Sequence, residues 1–374
     1  LKYKKPQQHI VEYTIYQHSI NLKHIPHRRI SGLVERTCPA HRGPSSEKGR
    51  FEHDFWQKKS IALDKSFFSM HNARMSLSQH ATNHITDTAF FVKSYAKINL
   101  TLDVLGKRTD GYHELVTIMQ TVDLYDTLCL TQTLDGGIRM ICSRAELSND
   151  HNLAVRAAQA VRQRFALKQG VVIELHKRIP VAAGLGGGSS NAAAVLLALR
   201  DWWHLPVSLD ELQPIAATLG ADVPFFLQGG LAVCKGRGEQ VTTLVAHWPT
   251  SMRWLLLVKP AIEVSTASVF RDLTAADYSN GTHSQAVCTA LQQGHKPDSV
   301  HLHNALAHGV LERYPEVAQA REAMLQAGAS LVRLSGSGPT LFAPFATLED
   351  AVAVQQRLHT RGYEVFLTRA IQPQ

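Results

Sequence analysis

From Phe90 onward apolar and polar positions begin to alternate. The run FVKSYAKINLTLDVLG reads as a strand, with Ala89–Tyr95 its first convincing stretch and a turn following at KRTDGYH. LVTIMQTVDLYDTLCLTQ reads as a strand pair broken near Asp123–Asp126. Asn152–Ala166 changes to helical spacing, with Ser148, Asn149 and Asp150 as capping candidates. Val171–His176 is a strand, Asn191–Arg200 a strongly apolar, alanine-rich helix, and Leu209–Leu219 a further helix. Strands are predicted at Gly230–Cys234 and Trp254–Val258, and helices at His303–Glu312 and Pro315–Gln326. A strand at Leu331–Leu334, a helix at Leu348–Arg361 and a strand at Tyr363–Thr368 complete the pattern. Strands and helices are mixed without regular alternation, which predicts an α+β fold rather than a doubly wound sheet.

Composition narrows this picture little. The chain has 374 residues, enough for two or three domains, and its 44% hydrophobic and 19% charged residues are those of a soluble globular protein. No apolar run reaches the length of a membrane span, so no membrane partner is expected. The net charge of +8 invites a nucleic-acid reading, but residues 1–92 carry 14 Lys and Arg against 7 Asp and Glu, and the remainder 25 against 24. The basic character belongs to the N-terminal quarter, and no nucleic-acid partner is expected for the rest. Five scattered cysteines without a CxxC pair fit a reducing cytoplasm.

Residues 1–92 are basic, histidine-rich and weakly periodic. Three readings stand side by side: upstream sequence with the natural start at Met70 or Met75, a targeting segment, or a genuine appendage. Glu12, Glu35, Glu47, Glu52 and Asp54 count against a transit peptide, so a plastid location follows only if that reading holds. Nine of the twenty histidines lie here without ligand spacing. His301 and His303 in HLHN are close, but no partner carboxylate motif follows them.

Four segments carry candidate chemistry. Pro180-Val181-Ala182-Ala183-Gly184-Leu185-Gly186-Gly187-Gly188-Ser189-Ser190 joins a strand to the alanine-rich helix. Successive backbone N–H groups in such a loop, and the free N–H groups opening the helix, form an anion cradle suited to a triphosphate. The lysine of a Walker loop is absent, and the spacing does not match GxGxxG. Gly336-Ser337-Gly338 bridges two strand-like runs; alone it reads as a hairpin or bulge, and beside the first loop it closes the same site. Asp222, in GADVPFF, reads alone as a turn or cap residue, yet a carboxylate is what a kinase needs to receive the acceptor's proton. Lys97, in YAKINL, offers a cation against the charge that develops on a transferring phosphoryl group.

These segments, in this order, resemble the GHMP kinase superfamily, and the run RTDGYHEL at residues 108–115 narrows the resemblance to its branch with a cytidine-diphosphate-linked acceptor. The resemblance covers about residues 93–370. It implies a two-domain fold with the active site in the interdomain cleft: an ATP-binding N-terminal domain over 93–250 and a C-terminal domain over 251–374, plus the extension 1–92. It implies phosphorylation of the 2-hydroxyl of 4-diphosphocytidyl-2-C-methyl-D-erythritol by ATP, with Mg²⁺ expected and its ligands left open. It further implies Asp222 as general base and Lys97 beside the transferring group. Asn99 and Thr266 would touch the acceptor, Tyr112 and Phe270 would sandwich the cytosine, and His113 would read its edge. Asn152 and Lys177 would lie near the adenine, Pro180–Ser190 around the phosphates, and Gly336, Ser337 and Gly338 in support. Whether the protein is a monomer or a homodimer stays open.

Overall fold

The structure is a computed structural model that describes residues 11–13 and 85–371. The expectations for residues 1–92 therefore fall, apart from 11–13 and 85–92, outside the described residues. Two sheets carry the architecture, and the elements run in this order: β1 (Val11–Tyr13), β2 (Ile85–Lys107), β3 (His113–Thr133), β4 (Ile138–Cys142), α1 (Leu153–Arg164), β5 (Gly170–His176), α2 (Gly187–Trp202), α3 (Leu209–Leu219), α4 (Val223–Gln228), β6 (Leu231–Gly236) and β7 (Gln240–Thr243). There follow β8 (Trp254–Lys259), α5 (Thr266–Arg271), α6 (Thr282–Gln292), α7 (Ala307–Arg313), α8 (Pro315–Gln326), β9 (Arg333–Leu334), β10 (Leu341–Phe345), α9 (Leu348–His359) and β11 (Glu364–Thr368). The first sheet has the order β1-β2-β3-β5-β4, with β6 also on β3 and β7 on β6; the second has the order β11-β8-β10-β9. The mixture is the expected α+β class. Among the described residues no helix is long and apolar enough to cross a membrane.

Burial explains most of these elements. Every residue of β8 is buried, as a continuous apolar run in a central strand requires. It is paired on both sides, by β10 and β11. Helix α2 is buried from Ser190 to Leu199 and packs on α1 and α4, so its apolar character runs all round. Ser208 and Glu211 form a complete capping box at the start of α3. One core lies beneath α1–α4 on the first sheet, and a second joins Ile98, Leu100 and Ile118 of that sheet to Leu255, Leu257 and Phe342 of the other.

Among the elements read from the sequence, four show the main departures, and β4, β7, α4, α5 and α6 are not read from it at all. β3 is continuous where a break is predicted at Asp123–Asp126; there the strand changes neighbours, pairing with β6 over Leu115–Gln120 and with β5 over Thr127–Thr133. α2 begins at Gly187, four residues before the predicted start, because the buried face after Ser190 holds a first turn made of glycine and serine. α1 is capped by Asn152, whose side chain accepts from Ala154 N, rather than by Ser148, Asn149 or Asp150. The helix predicted at His303–Glu312 starts only at Ala307, since Asn304 bonds away to the Leu334 and Gly336 carbonyls and accepts from Leu306 N.

Candidate active site

The turn that opens α2 is built to receive an anion. Gly186 sits at its N-cap with φ 70°, and a Cβ there would lie 2.7 Å from the Phe226 ring, so only glycine fits. The next residues, Gly187, Gly188 and Ser189, present unpaired helical N–H groups at the positive end of a 16-residue helix. Ser189 lines the adjoining cleft, whereas Ser190 turns inward and accepts a 2.7 Å hydrogen bond from Ser94 Oγ.

What holds this turn is a polar network beneath it. Asp126 is fully buried and accepts from the Arg178 and Ile179 backbone N–H groups, from Asn191 Nδ2 and, at 2.5 Å, from Lys177 Nζ. Lys177 Nζ also lies 3.2 Å from Asn191 Oδ1. Lys177 thus lines the cleft with its charge already paired to a carboxylate. Asp126, which sequence pattern reads as a strand break, turns out to be the anchor for both the strand end and the helix start.

The second glycine loop closes on the first. A Cβ on Gly338 would overlap Gly184 N and Ala183 C, so the two backbones approach as closely as glycine allows. Ser335 Oγ accepts from Asn99 N, and Ser337 Oγ meets Thr266 Oγ1 at 2.8 Å. Gly336 and Ser337 thereby line the cleft opposite α2, while Gly338 supports from behind.

Lys97 and Asp222 face one another between these loops. Lys97 Nζ lies 3.4 Å from Asp222 Oδ2 and donates to Asn99 Oδ1 at 2.6 Å. The lysine is nearly buried and the aspartate about one-third exposed. Asp222 occupies the N-cap position of α4 but makes no capping bond, which leaves its carboxylate directed at the cleft. Behind the pair, burial with Asp222 nearby pushes the Cys234 thiol well above its ordinary range, so it takes no part as a thiolate.

The cleft has a volume of about 580 Å³. It brings together Lys97, Asn99, Asn152, Lys177, the segment from Pro180 to Ser189, Asp222, Thr266, Phe270, Gly336 and Ser337. Tyr112 and His113 lie at its edge rather than in its lining. The exposed Tyr112 ring carries the Arg237 guanidinium 5.0 Å above it, and Arg237 does line the cleft. His113 is buried with its ring 5.6 Å from Phe270. Burial, helped by Lys107, pushes the His113 imidazole below its ordinary value and keeps it neutral near pH 7, with one ring donor and one acceptor. Arg237 is the cleft cation that sequence pattern does not single out; its only signal is a GRGE turn after a strand.

Comparison with known proteins shows the family and the fold. Residues 152–230 match the family described as GHMP kinases N terminal domain, and residues 290–364 match GHMP kinases C terminal. A 4-diphosphocytidyl-2-C-methyl-D-erythritol kinase of Geobacillus sp. (strain WCH70) is 44% identical over 252 residues, covering 67% of this chain and 86% of the relative. One of the same name from Pelotomaculum thermopropionicum is 42% identical over 280 residues, covering 74% and 96%. A crystal structure of 4-(cytidine 5'-diphospho)-2C-methyl-D-erythritol kinase superposes with a TM-score of 0.65 at 33% identity, over 75% of this chain and 98% of that one. Homoserine kinase from Cytophaga hutchinsonii, at 18% identity and a TM-score of 0.59 over 75% and 96%, shares the fold.

Proposed function

The chain belongs to the 4-diphosphocytidyl-2-C-methyl-D-erythritol kinases of the GHMP kinase family, and from that premise we propose how its cleft works. The enzyme transfers the γ-phosphoryl group of ATP to the 2-hydroxyl of 4-diphosphocytidyl-2-C-methyl-D-erythritol, giving the 2-phosphate and ADP in the non-mevalonate route to isoprenoids. The observation that carries the residue roles is the Lys97–Asp222 pair, 3.4 Å apart and open to the same cleft as the N-terminal turn of α2.

Phosphoryl transfer asks for positioning and charge stabilisation more than covalent help. The α2 turn holds the triphosphate by backbone N–H groups. Asp222, freed from capping, takes the proton from the acceptor hydroxyl. Lys97, fixed by Asn99, offsets the charge gathering on the transferring group. Asn152 and Lys177 border the nucleotide end; with its charge paired to Asp126, Lys177 shapes the pocket. At the other end Phe270, Tyr112 and the neutral His113 receive the cytosine, with Thr266 and Ser337 between them and the phosphates. Arg237, a cation over Tyr112, is set where an acceptor's diphosphate would lie.

Mg²⁺ fits this donor set. The Ser189 hydroxyl on the cleft is the protein group that would help hold the ion beside the nucleotide. When bound it would neutralise phosphate charge. We take 93–250 as the ATP-binding domain and 251–374 as the C-terminal domain. The matching relatives are bacterial, and the four described cysteines are unpaired, which supports a cytoplasmic location.

The test is a panel of acceptors with Mg-ATP. Turnover is expected with 4-diphosphocytidyl-2-C-methyl-D-erythritol and none with homoserine or mevalonate; turnover of either of those without the cytidyl substrate would sink the assignment.

A further inference from the structure

Three side chains outside the phosphoryl-transfer machinery converge at one point. Asp103 lies on β2, four residues and about 13 Å beyond Asn99 along the strand. His283 is in the first turn of α6, and His303 precedes α7. One ligand atom from each falls within 4.8 Å of the other two. The imidazoles of His283 and His303 stack with centroids 4.3 Å apart. His301 lies outside this triad, with its Nδ1 3.4 Å from His283 Nδ1.

One feature of this cluster asks for a cation. Asp103 is fully buried, and among the described residues no lysine or arginine pairs with it. Its hydrogen bonds come from uncharged groups: Ser279 Oγ at 2.6 Å, Ser284 N at 2.8 Å and Ser284 Oγ at 2.5 Å. A buried carboxylate in that state carries a desolvation cost that a neighbouring cation offsets.

We propose that Asp103, His283 and His303 form a binding site for a divalent transition-metal ion, zinc by its chemistry, with water completing the coordination. Two imidazoles and one carboxylate suit zinc and not Mg²⁺ or Ca²⁺, which take oxygen ligands. The ligand segments are already fixed to one another. Leu102 N donates to the His303 carbonyl and Ala305 N to the Leu102 carbonyl, while Thr101 Oγ1 meets Ser284 Oγ at 2.7 Å. A triangle with edges of at most 4.8 Å has its centre within about 2.8 Å of each corner, so the ligand atoms move less than about 1 Å each, with the stacked imidazoles turning to aim their ring nitrogens at the ion. The ion would pin β2, α6 and the 301–304 segment together behind the acceptor end of the cleft. The HLHN segment gives no hint of this, because its carboxylate comes from a strand some 200 residues earlier.

Zinc titration of the chelator-treated full chain, followed by calorimetry, tests the site. Because residues 1–92 contain nine further histidines, the readout is the difference between wild type and variants. Wild type is expected to show one tight site that is absent from His283→Ala/His303→Ala and weakened at least about 100-fold in the milder His303→Gln. Zinc should raise the melting temperature of wild type by a few degrees and leave the double variant unmoved. Co²⁺ in place of zinc should give wild type alone the strong visible absorption of a tetrahedral site. Equal zinc stoichiometry and affinity in wild type and folded His303→Gln, or no tight site in wild type, would overturn the proposal.

Discussion

Lys97 and Asp222 show how one residue's role depends on what its neighbours leave undone. An aspartate at a helix N-cap normally spends its carboxylate on the free N–H groups of the first turn. Asp222 does not, and its carboxylate stands 3.4 Å from Lys97 Nζ. Asp222→Asn removes the proposed proton acceptor while preserving shape, so kcat should fall about 10²–10⁴-fold with nucleotide affinity little changed. Steady-state kinetics with a parallel nucleotide titration checks this; near wild-type turnover would remove Asp222 from the role of base. Both residues are visible in the sequence because each stands in a distinctive run. Arg237 is not, since a single arginine in a turn carries no pattern and only the fold sets it over Tyr112.

Among the elements, the start of α2 depends on a carboxylate from a different strand. Asp126 accepts four hydrogen bonds while fully buried, and one comes from the nearly buried Lys177. Asp126→Asn leaves that lysine charged and unpaired, which should cost about 3–5 kcal/mol of stability. It should also weaken ATP binding, as Asn191 and the first turn of α2 lose their anchor. Urea denaturation, with the midpoint lowered at constant m, measures the first effect, and an unchanged midpoint would deny the network its structural role. The same element marks the limit of reading secondary structure from pattern. α3 and α8 match their predicted bounds because the Ser208–Glu211 box and Pro315 mark their starts. The start of α2 is displaced because glycine argues against helix wherever tertiary packing does not decide. α4 is too short for a period to register, and with Pro224 inside it reads as a turn. β3 looks broken because a change of neighbour places an aspartate in mid-strand.

At the scale of the whole molecule, the cleft gathers side chains from Lys97 to Ser337, from both sheets' surroundings and from both regions that match GHMP kinases. The sequence offers these as separate motifs; that Gly338 packs on Gly184, and Ser337 on Thr266, is a matter of tertiary approach that no local pattern encodes. A ligand touching both ends must therefore stabilise the assembly more than either end alone. A non-hydrolysable ATP analogue at 100 times its Kd should add about 2.7 kcal/mol to stability, and the cytidyl acceptor should add a further increment. The two increments are separable by position. Phe270 lies against His113 at the proposed acceptor end, whereas Asn152 and the α2 turn frame the proposed nucleotide end. Phe270→Ala should thus abolish most of the melting-temperature rise caused by acceptor and retain the rise caused by nucleotide. Thermal melts of wild type and variant with each ligand decide it. Loss of both shifts would mean that Phe270 supports the whole cleft, and loss of neither would move the cytosine site elsewhere.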